Sequence, residues 1–471
     1  MSTLSVSLGP QLTAEEAAAI YAQGPEAVIF ALLELAKGWG EAEGRRAAVS
    51  SPATPSGMQP VYLKRPAGSR RKRPGRKAGH AGARRAPPER IDRRKAHRAA
   101  CCPDCGSRLK RTSQTRTRYT EDIPAGITPI VTEHTIHRDW CPRCKNPVEP
   151  AVPDALPGST LGNHVLALSA WLHYGLGNTL AQVVEVFNYH LHFPLTKGGV
   201  VQQWYRLQAL LYAWYEQIRD EALAAAVLHG DETGWRVNGK THWLWCFTNA
   251  RSTYYMIDRK RGSPALAKFF RDEFAGTLVS DFWGAYNSVV CGARQTCLAH
   301  LLRELEHVEQ YKHPTAQWPA FAKKLRRLLG DAIRLRQRAL GDEETFAARR
   351  ERLHVRLSEL IEAPWIDSQA RRLVKRLRRH QIDLFTFLDH PEVPFDNNHA
   401  ERAIRPAVII RKNSYCNRSE RGADTQAVLM SIYRTLKQRG HDPIQTIANA
   451  IATYNSTGKL PSLPSETATN G

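Results

Sequence analysis

The stretch from Val227 to Asp281 constrains the fold more than any other part of the chain. Val227 to Val237 reads as a strand, and Asn238-Gly239 follows it. That dipeptide suits a two-residue hairpin, because both of its positions accept φ above zero. Thr241 to Phe247 (Thr-His-Trp-Leu-Trp-Cys-Phe) returns as a second strand, and Ser252 to Asp258 supplies a third. Ser263 to Phe270 has the spacing of an amphipathic helix. Thr277 to Ser280 is a short apolar strand that stops at Asp281, with Phe-Trp-Gly at once behind it. A strand that ends in this way presents a carboxylate to a cleft.

Three antiparallel strands, a helix and a strand that lies beside the first make the ribonuclease H-like order. In that order Asp231, on the first strand, becomes the neighbour of Asp281. Glu232 competes with Asp231, but strand alternation sends it to the opposite face. A third carboxylate stands in Asp396-Asn-Asn-His-Ala-Glu401-Arg-Ala-Ile-Arg405-Pro. Asn398 and Glu401 share a helical face there, with Arg402, Arg405, Arg411 and Lys412 alongside. Glu304 and Glu392 are the next choices for the third acid. His300, Cys297 and Asn398 are expected to flank the site, with a helix-start role the equal alternative for His300 and Cys297. The helix that holds Glu401 should pack beside the two aspartate strands, with the intervening helical insertion folded away from the sheet. Carboxylates gathered in a cleft repel one another unless a cation offsets them. Magnesium or manganese takes oxygen ligands of this kind. A pair of such ions activates an attacking hydroxyl and stabilises the leaving oxygen of a phosphodiester. Taken singly, each acid reads equally well as an ordinary solvated or paired residue; together and in this order they point to chemistry.

Charge supports a polyanionic partner. Lys and Arg number 67 against 45 acidic residues, a formal net charge of +22 in 471 residues. Between Lys64 and Arg98 there are 15 cations and two acids. Apolar residues are almost absent from this stretch, so residues 46–98 are expected to be a disordered basic linker. Its Arg70, Arg71, Lys72, Arg73, Arg76, Lys77, Arg84 and Arg85 would bind a DNA backbone without reading its sequence, and salt would weaken the contact. The longest apolar run, Ala222 to Leu228, is far short of the roughly 20 residues of a membrane span. The N-terminus lacks a basic segment followed by an apolar one. A cytoplasmic, nucleoid-associated protein with no membrane partner is the expectation.

Nine cysteines include two Cys-x-x-Cys pairs. Cys102-Pro-Asp-Cys105-Gly and Cys141-Pro-Arg-Cys144 can each form a knuckle, and two knuckles complete a closed tetrahedral zinc site. The intervening residues Thr115–Thr120 and Thr128–His137 have strand composition, so a zinc ribbon with a long hairpin is expected over 99–155. Residues 1–45 read as a short helical segment interrupted at Gly24-Pro25. Residues 156–225 read as all-helical. Leu180 to Tyr189 and a second helix capped by Thr196 have helix-turn-helix spacing, with a plain helical bundle as the equal alternative. The catalytic domain spans 226–424, with a helical insertion at about 301–392 that contains the basic run Arg371 to Arg379. Helices and a frayed tail close the chain over 425–471. The fold class is thus α/β and multidomain: a ribonuclease H-like core with a helical insertion, preceded by a zinc ribbon and a helical DNA-binding domain.

These residues carry a resemblance. His229-Gly-Asp-Glu-Thr-Gly-Trp, Ser280-Asp-Phe-Trp-Gly-Ala-Tyr, Cys297-Leu-Ala-His-Leu-Leu-Arg-Glu-Leu and Asn397-Asn-His-Ala-Glu-Arg-Ala-Ile-Arg-Pro resemble the insertion sequence 66 family of bacterial transposases. So do Gly75 to Arg85 and the two knuckles, in family order. The resemblance implies a DDE triad of Asp231, Asp281 and Glu401 that holds Mg2+ or Mn2+, together with structural Zn2+. It implies cleavage and strand transfer at the ends of a mobile element, assembly as a homo-oligomer on double-stranded DNA, and accessory proteins encoded by the same element. The alternative is a transposase-derived zinc-ribbon DNA-binding protein without catalytic activity.

Overall fold

The computed structural model describes residues 127–312, 314–337 and 343–467 throughout, with scattered positions before them (18–32 in part, 91, 94–96, 104–108 and 117). Apart from residues 91 and 94–96, the basic segment proposed for DNA lies outside the described residues, and so do its eight named cations.

A small hairpin comes first, β1 (Asp139–Cys141) antiparallel to β2 (Asn146–Val148). The strand expected at Thr128–His137 does not form: these residues join no ladder, and Ile130 and Val131 are almost fully exposed. The stretch expected to pair with it, Thr115–Thr120, lies outside the described residues except for residue 117.

The helical region contains α1 (Asn163–Ala170), α2 (Leu180–Glu185) and α3 (Lys197–Leu223). The first two each run on into a wider π-helical turn, Trp171–Gly175 and Val186–His190. Thr179 caps α2 with a full capping box, and the Thr196 hydroxyl accepts the Gly199 N–H at the start of α3. Trp204, Leu207, Leu211, Trp214 and Ile218 form the buried stripe of α3 and share one core with the sheet that follows.

That sheet has five strands: β3 (Val227–Val237), β4 (Lys240–Thr248), β5 (Thr253–Asp258), β6 (Phe274–Ser280) and β7 (Cys291–Thr296). The spatial order is β5-β4-β3-β6-β7, with β3, β4 and β5 antiparallel and β6 and β7 parallel to β3. Asn238 and Gly239 turn the β3–β4 hairpin at φ 48° and 73°, as their residue types require. Helix α4 (Ser263–Phe270) crosses one face and stacks Phe269 on Phe247 at 3.8 Å between ring centres.

Helices then cover both sheet edges, which would otherwise offer unpaired backbone to other chains. On the β7 side lie α5 (Leu298–Tyr311), α6 (Trp318–Gln337), α7 (Glu343–Glu362), α8 (Ser368–Arg379) and α9 (Thr386–Asp389). Thr386 donates its hydroxyl to the Arg294 carbonyl, and the Phe387 N–H donates to the Gln295 side chain. This insertion has its own apolar core of Leu301, Leu305, Phe321, Leu325, Leu373 and Leu377, and Val279 of β6 belongs to it. It therefore docks on the sheet rather than folding away from it. The chain returns through α10 (Asn398–Ser414), α11 (Glu420–Gln438) and α12 (Pro443–Thr457). On the far edge, Ser431 and Thr435 of α11 accept the Tyr255 and Thr253 N–H groups of β5.

Candidate active site

Asp231 lies within β3, and Asp281 stands one residue past the end of β6. The β3–β6 register pairs His229 with Val279. Two residues further along the same register, Asp231 falls level with Asp281. Each carboxylate is steadied locally: the Glu232 N–H donates to Asp231 Oδ1 at 2.9 Å, and the Trp283 N–H donates to Asp281 Oδ1 at 2.8 Å. Asp281 is only 7% exposed. Burial, and then the negative charge of Glu232, push its carboxyl up to about 7. Burial also lifts Asp231 well above the usual carboxylate range, and the charges of Glu232, Asp281 and Glu401 add to it. Asp231 thus feels both other candidate acids, and the two aspartates both resist ionising.

Glu232 takes the opposite face, as alternation requires. Its fully buried carboxylate accepts from Arg261 at 2.9 Å and from the Tyr286 hydroxyl at 2.9 Å. The Arg261 guanidinium is itself sandwiched between Trp243 and Trp283, 4.4 and 3.9 Å from the ring centres. Gly230 must be small here, because a Cβ would stand 2.9 Å from the Tyr286 ring.

Glu401 sits in the first turn of α10, where the helix dipole favours an anion. Its partner is Arg303 of α5, with Nη2 2.6 Å from Oε1. His300 Nε2 lies 3.9 Å from the same oxygen. Burial and the charges of Arg303 and Arg376 drive the His300 imidazole down to about 3, so it is neutral at physiological pH. His300 therefore stands beside Glu401.

The expected Asn398 flank changes. Asn398 turns its amide onto Asp396 at 2.5 Å. The preceding residue reaches inward instead: Asn397 donates to the Gly230 carbonyl at 2.8 Å, and its Oδ1 lies 3.0 Å from His229 Nδ1. Helix α10 begins at Asn398, so Asn397 is its cap and points at β3. Arg411 is likewise drawn inward, donating to Thr233 Oγ1 and the Gly234 carbonyl at 3.0 and 2.8 Å. It ties α10 to β3 and does not present its charge to a DNA. Arg402, Arg405 and Lys412 are exposed on α10. Glu304 is fully buried and clasped by Arg372 and Arg376 of α8, which removes it as a third acid. Glu392 is half exposed beside His390. Sequence reasoning missed Arg303 and Asn397. The only signal was position: Arg303 lies one turn after His300, and Asn397 opens the helix that carries Glu401.

Among the described residues, no three His, Cys, Asp or Glu side chains converge tightly enough to cage a metal as they stand. Their chemistry still fits one. Asp281 is buried and Asp231 half-buried, their carboxylates accept from backbone N–H groups, and hard oxygen donors are what magnesium and manganese prefer.

The second knuckle is formed as a tight turn after β1. Cys141 ends β1, and its Sγ accepts the Cys144 N–H at 3.4 Å, which with a side-chain bond from Cys144 pulls its thiol down. Lys145 turns the chain at φ 51°. Cys105 is exposed, as Cys144 is, while Cys102 lies outside the described residues. A thiolate favoured by N–H donors suits zinc. No helix among the described residues is long and apolar enough to cross a membrane.

Comparison with known proteins agrees with this layout. The family model described as "Transposase IS66 family" matches residues 158–425, and "zinc-finger binding domain of transposase IS66" matches 99–145. The uncharacterized protein y4hP of Sinorhizobium fredii (strain NBRC 101917 / NGR234) is 24% identical over 75% of this chain and 69% of its own length. The uncharacterized protein y4qI of the same organism is 27% identical over 45% of this chain and 44% of its own length. The first match alone spans more than half of the sequence and includes all three candidate acids, and the chain belongs to the IS66 family of transposases.

Proposed function

We propose that this chain is a DDE transposase that binds the ends of its element and catalyses metal-dependent strand cleavage and strand transfer. The observation that supports the reading is geometric: the β3–β6 register sets Asp231 level with Asp281, and Glu401 stands in the first turn of α10, whose cap Asn397 is bonded to β3. We read the sheet, with its β5-β4-β3-β6-β7 order, as a ribonuclease H-like core. Asp231, Asp281 and Glu401 would hold magnesium or manganese. When bound, the metal activates the attacking oxygen and stabilises the leaving one.

The chain's own residues supply the rest. The Glu232 and Trp283 N–H groups fix the aspartate rotamers, so the oxygens need not be ordered at the moment of reaction. Asn397 and Arg411 fasten α10 to β3 and so hold Glu401 over the strand. Arg402, Arg405 and Lys412, on the open side of α10, would meet phosphate. The basic segment and the zinc ribbon would add affinity that is insensitive to sequence, with Cys102, Cys105, Cys141 and Cys144 holding one zinc. Chelation should release about one zinc per chain and unfold the ribbon.

The test is cleavage and joining by the purified full chain on duplexes that carry the element's ends, with magnesium and with EDTA. Asp231→Asn, Asp281→Asn and Glu401→Gln should each bind ends and fail to cleave. Cleavage by all three at the wild-type rate would contradict the reading.

A further inference from the structure

We propose that Arg303 is a placeholder cation: it neutralises Glu401 until a divalent metal takes over that carboxylate. The inference rests on the metal-dependent reading above and adds a residue to it. Of the three acids, only Glu401 has an ion-pair partner among the described residues, and that partner is Arg303 at 2.6 Å. Asp231 and Asp281 each accept from a backbone N–H group instead.

The placement of Arg303 suits exchange rather than permanent scaffolding. Its side chain is about half exposed, whereas that of Glu401 is 21% exposed. A half-solvated guanidinium gives up little on leaving, since exposed ion pairs are weak. The structural ion pair on the same helix differs: Glu304 is wholly buried under two arginines. The same Nη2 that meets Glu401 also lies 3.3 Å from the His300 ring, which carries no negative charge to hold the guanidinium firmly. Metal and Arg303 therefore compete for one oxygen, and each must weaken the other.

The probe is Mn2+, titrated into the zinc-loaded full chain without DNA, with free ion counted by electron paramagnetic resonance. Arg303→Gln should bind Mn2+ roughly three- to fivefold more tightly than wild type, the size of one partly exposed ion pair. Arg303→Ala, a second variant at this half-exposed position, should do the same. Arg303→Lys, which keeps the charge, should stay near wild type. In a Glu401→Gln background, Arg303→Gln should gain nothing. Unchanged or weaker binding by both Arg303→Gln and Arg303→Ala would overturn the proposal. So would a gain that survives Glu401→Gln. If wild type binds Mn2+ and Asp281→Asn does not, while the Arg303 variants match wild type, the placeholder falls and the metal reading stands. If no form binds Mn2+, both fall.

Discussion

Glu304 and Asp281 are both buried acids, 0% and 7% exposed, in segments joined by a single strand. They are treated in opposite ways. Glu304 is clasped by Arg372 and Arg376, and this ion cluster pins α8 of the insertion to α5. Glu232, also buried, has Arg261 and Tyr286. Asp281 has a backbone N–H and no ion pair among the described residues, and it is pushed up to about 7 beside Asp231, which is pushed up too. A buried acid with its own arginine is scaffold. A buried acid kept without one stores unfavourable charge, which a fold retains when some other cation is meant to arrive.

The largest predicted effect strikes the uncompensated side of that contrast. Asp231→Asn and Asp281→Asn should each lower magnesium-dependent cleavage by at least about 10³-fold, the scale of several kcal/mol of lost charge stabilisation. Folding and end binding should be intact. A single-turnover assay on labelled ends measures this.

Next comes the compensated side. Glu304→Gln leaves two arginines facing a neutral amide and should destabilise the chain by about 3 kcal/mol, as broken buried pairs do. Urea unfolding reads it, and a change within experimental error would erase the distinction between the two kinds of acid.

The pH dependence of stability sharpens the same point. The folded-state value for Asp281 is about 7, against an ordinary 3.8. The folded state therefore binds the proton more tightly than the unfolded state does. Stability from this group is present below about pH 4 and is lost as pH rises to about 7. Asp281→Asn should remove that loss, stabilising the metal-free chain by on the order of 2 kcal/mol at pH 8 and by nothing measurable at pH 4. Equal effects at the two pH values would contradict the assignment.

The smallest effects belong to the exposed cations. Arg402→Ala, Arg405→Ala and Lys412→Ala should each reduce the salt slope of DNA binding by about 1, whereas Arg411→Ala should act on stability instead. A salt slope that responds to Arg411 alone would reverse the placement of these side chains.

Much of this was legible in the sequence where the governing signal is local. Asn238-Gly239 fixed the hairpin through its backbone preference, Ser263–Phe270 formed over the stretch its periodicity marked, and Thr196 capped its helix. The strand order expected from the sequence is the one that brings Asp231 level with Asp281. What stayed hidden was contact between distant segments. Nothing near Glu401 announces Arg303, and nothing near Glu304 announces Arg372 or Arg376. A basic run such as Arg371 to Arg379 shows only its charge in the sequence; in the fold, its Arg372 and Arg376 meet the buried Glu304. Asn398 was chosen over Asn397 because helical spacing was counted from Glu401; the start of the helix decided otherwise. Thr128–His137 had strand composition, but composition cannot supply a partner strand.

The most direct measurement sets Asp281→Asn against Glu304→Gln in one experiment, with thermal stability and single-turnover cleavage of end duplexes recorded for both. The account predicts a crossed result. Asp281→Asn melts at or above the wild-type temperature and does not cleave. Glu304→Gln melts lower and, at temperatures where it is folded, cleaves within about tenfold of wild type, the effect of about 1.4 kcal/mol. Cleavage by Asp281→Asn at the wild-type rate would contradict the account.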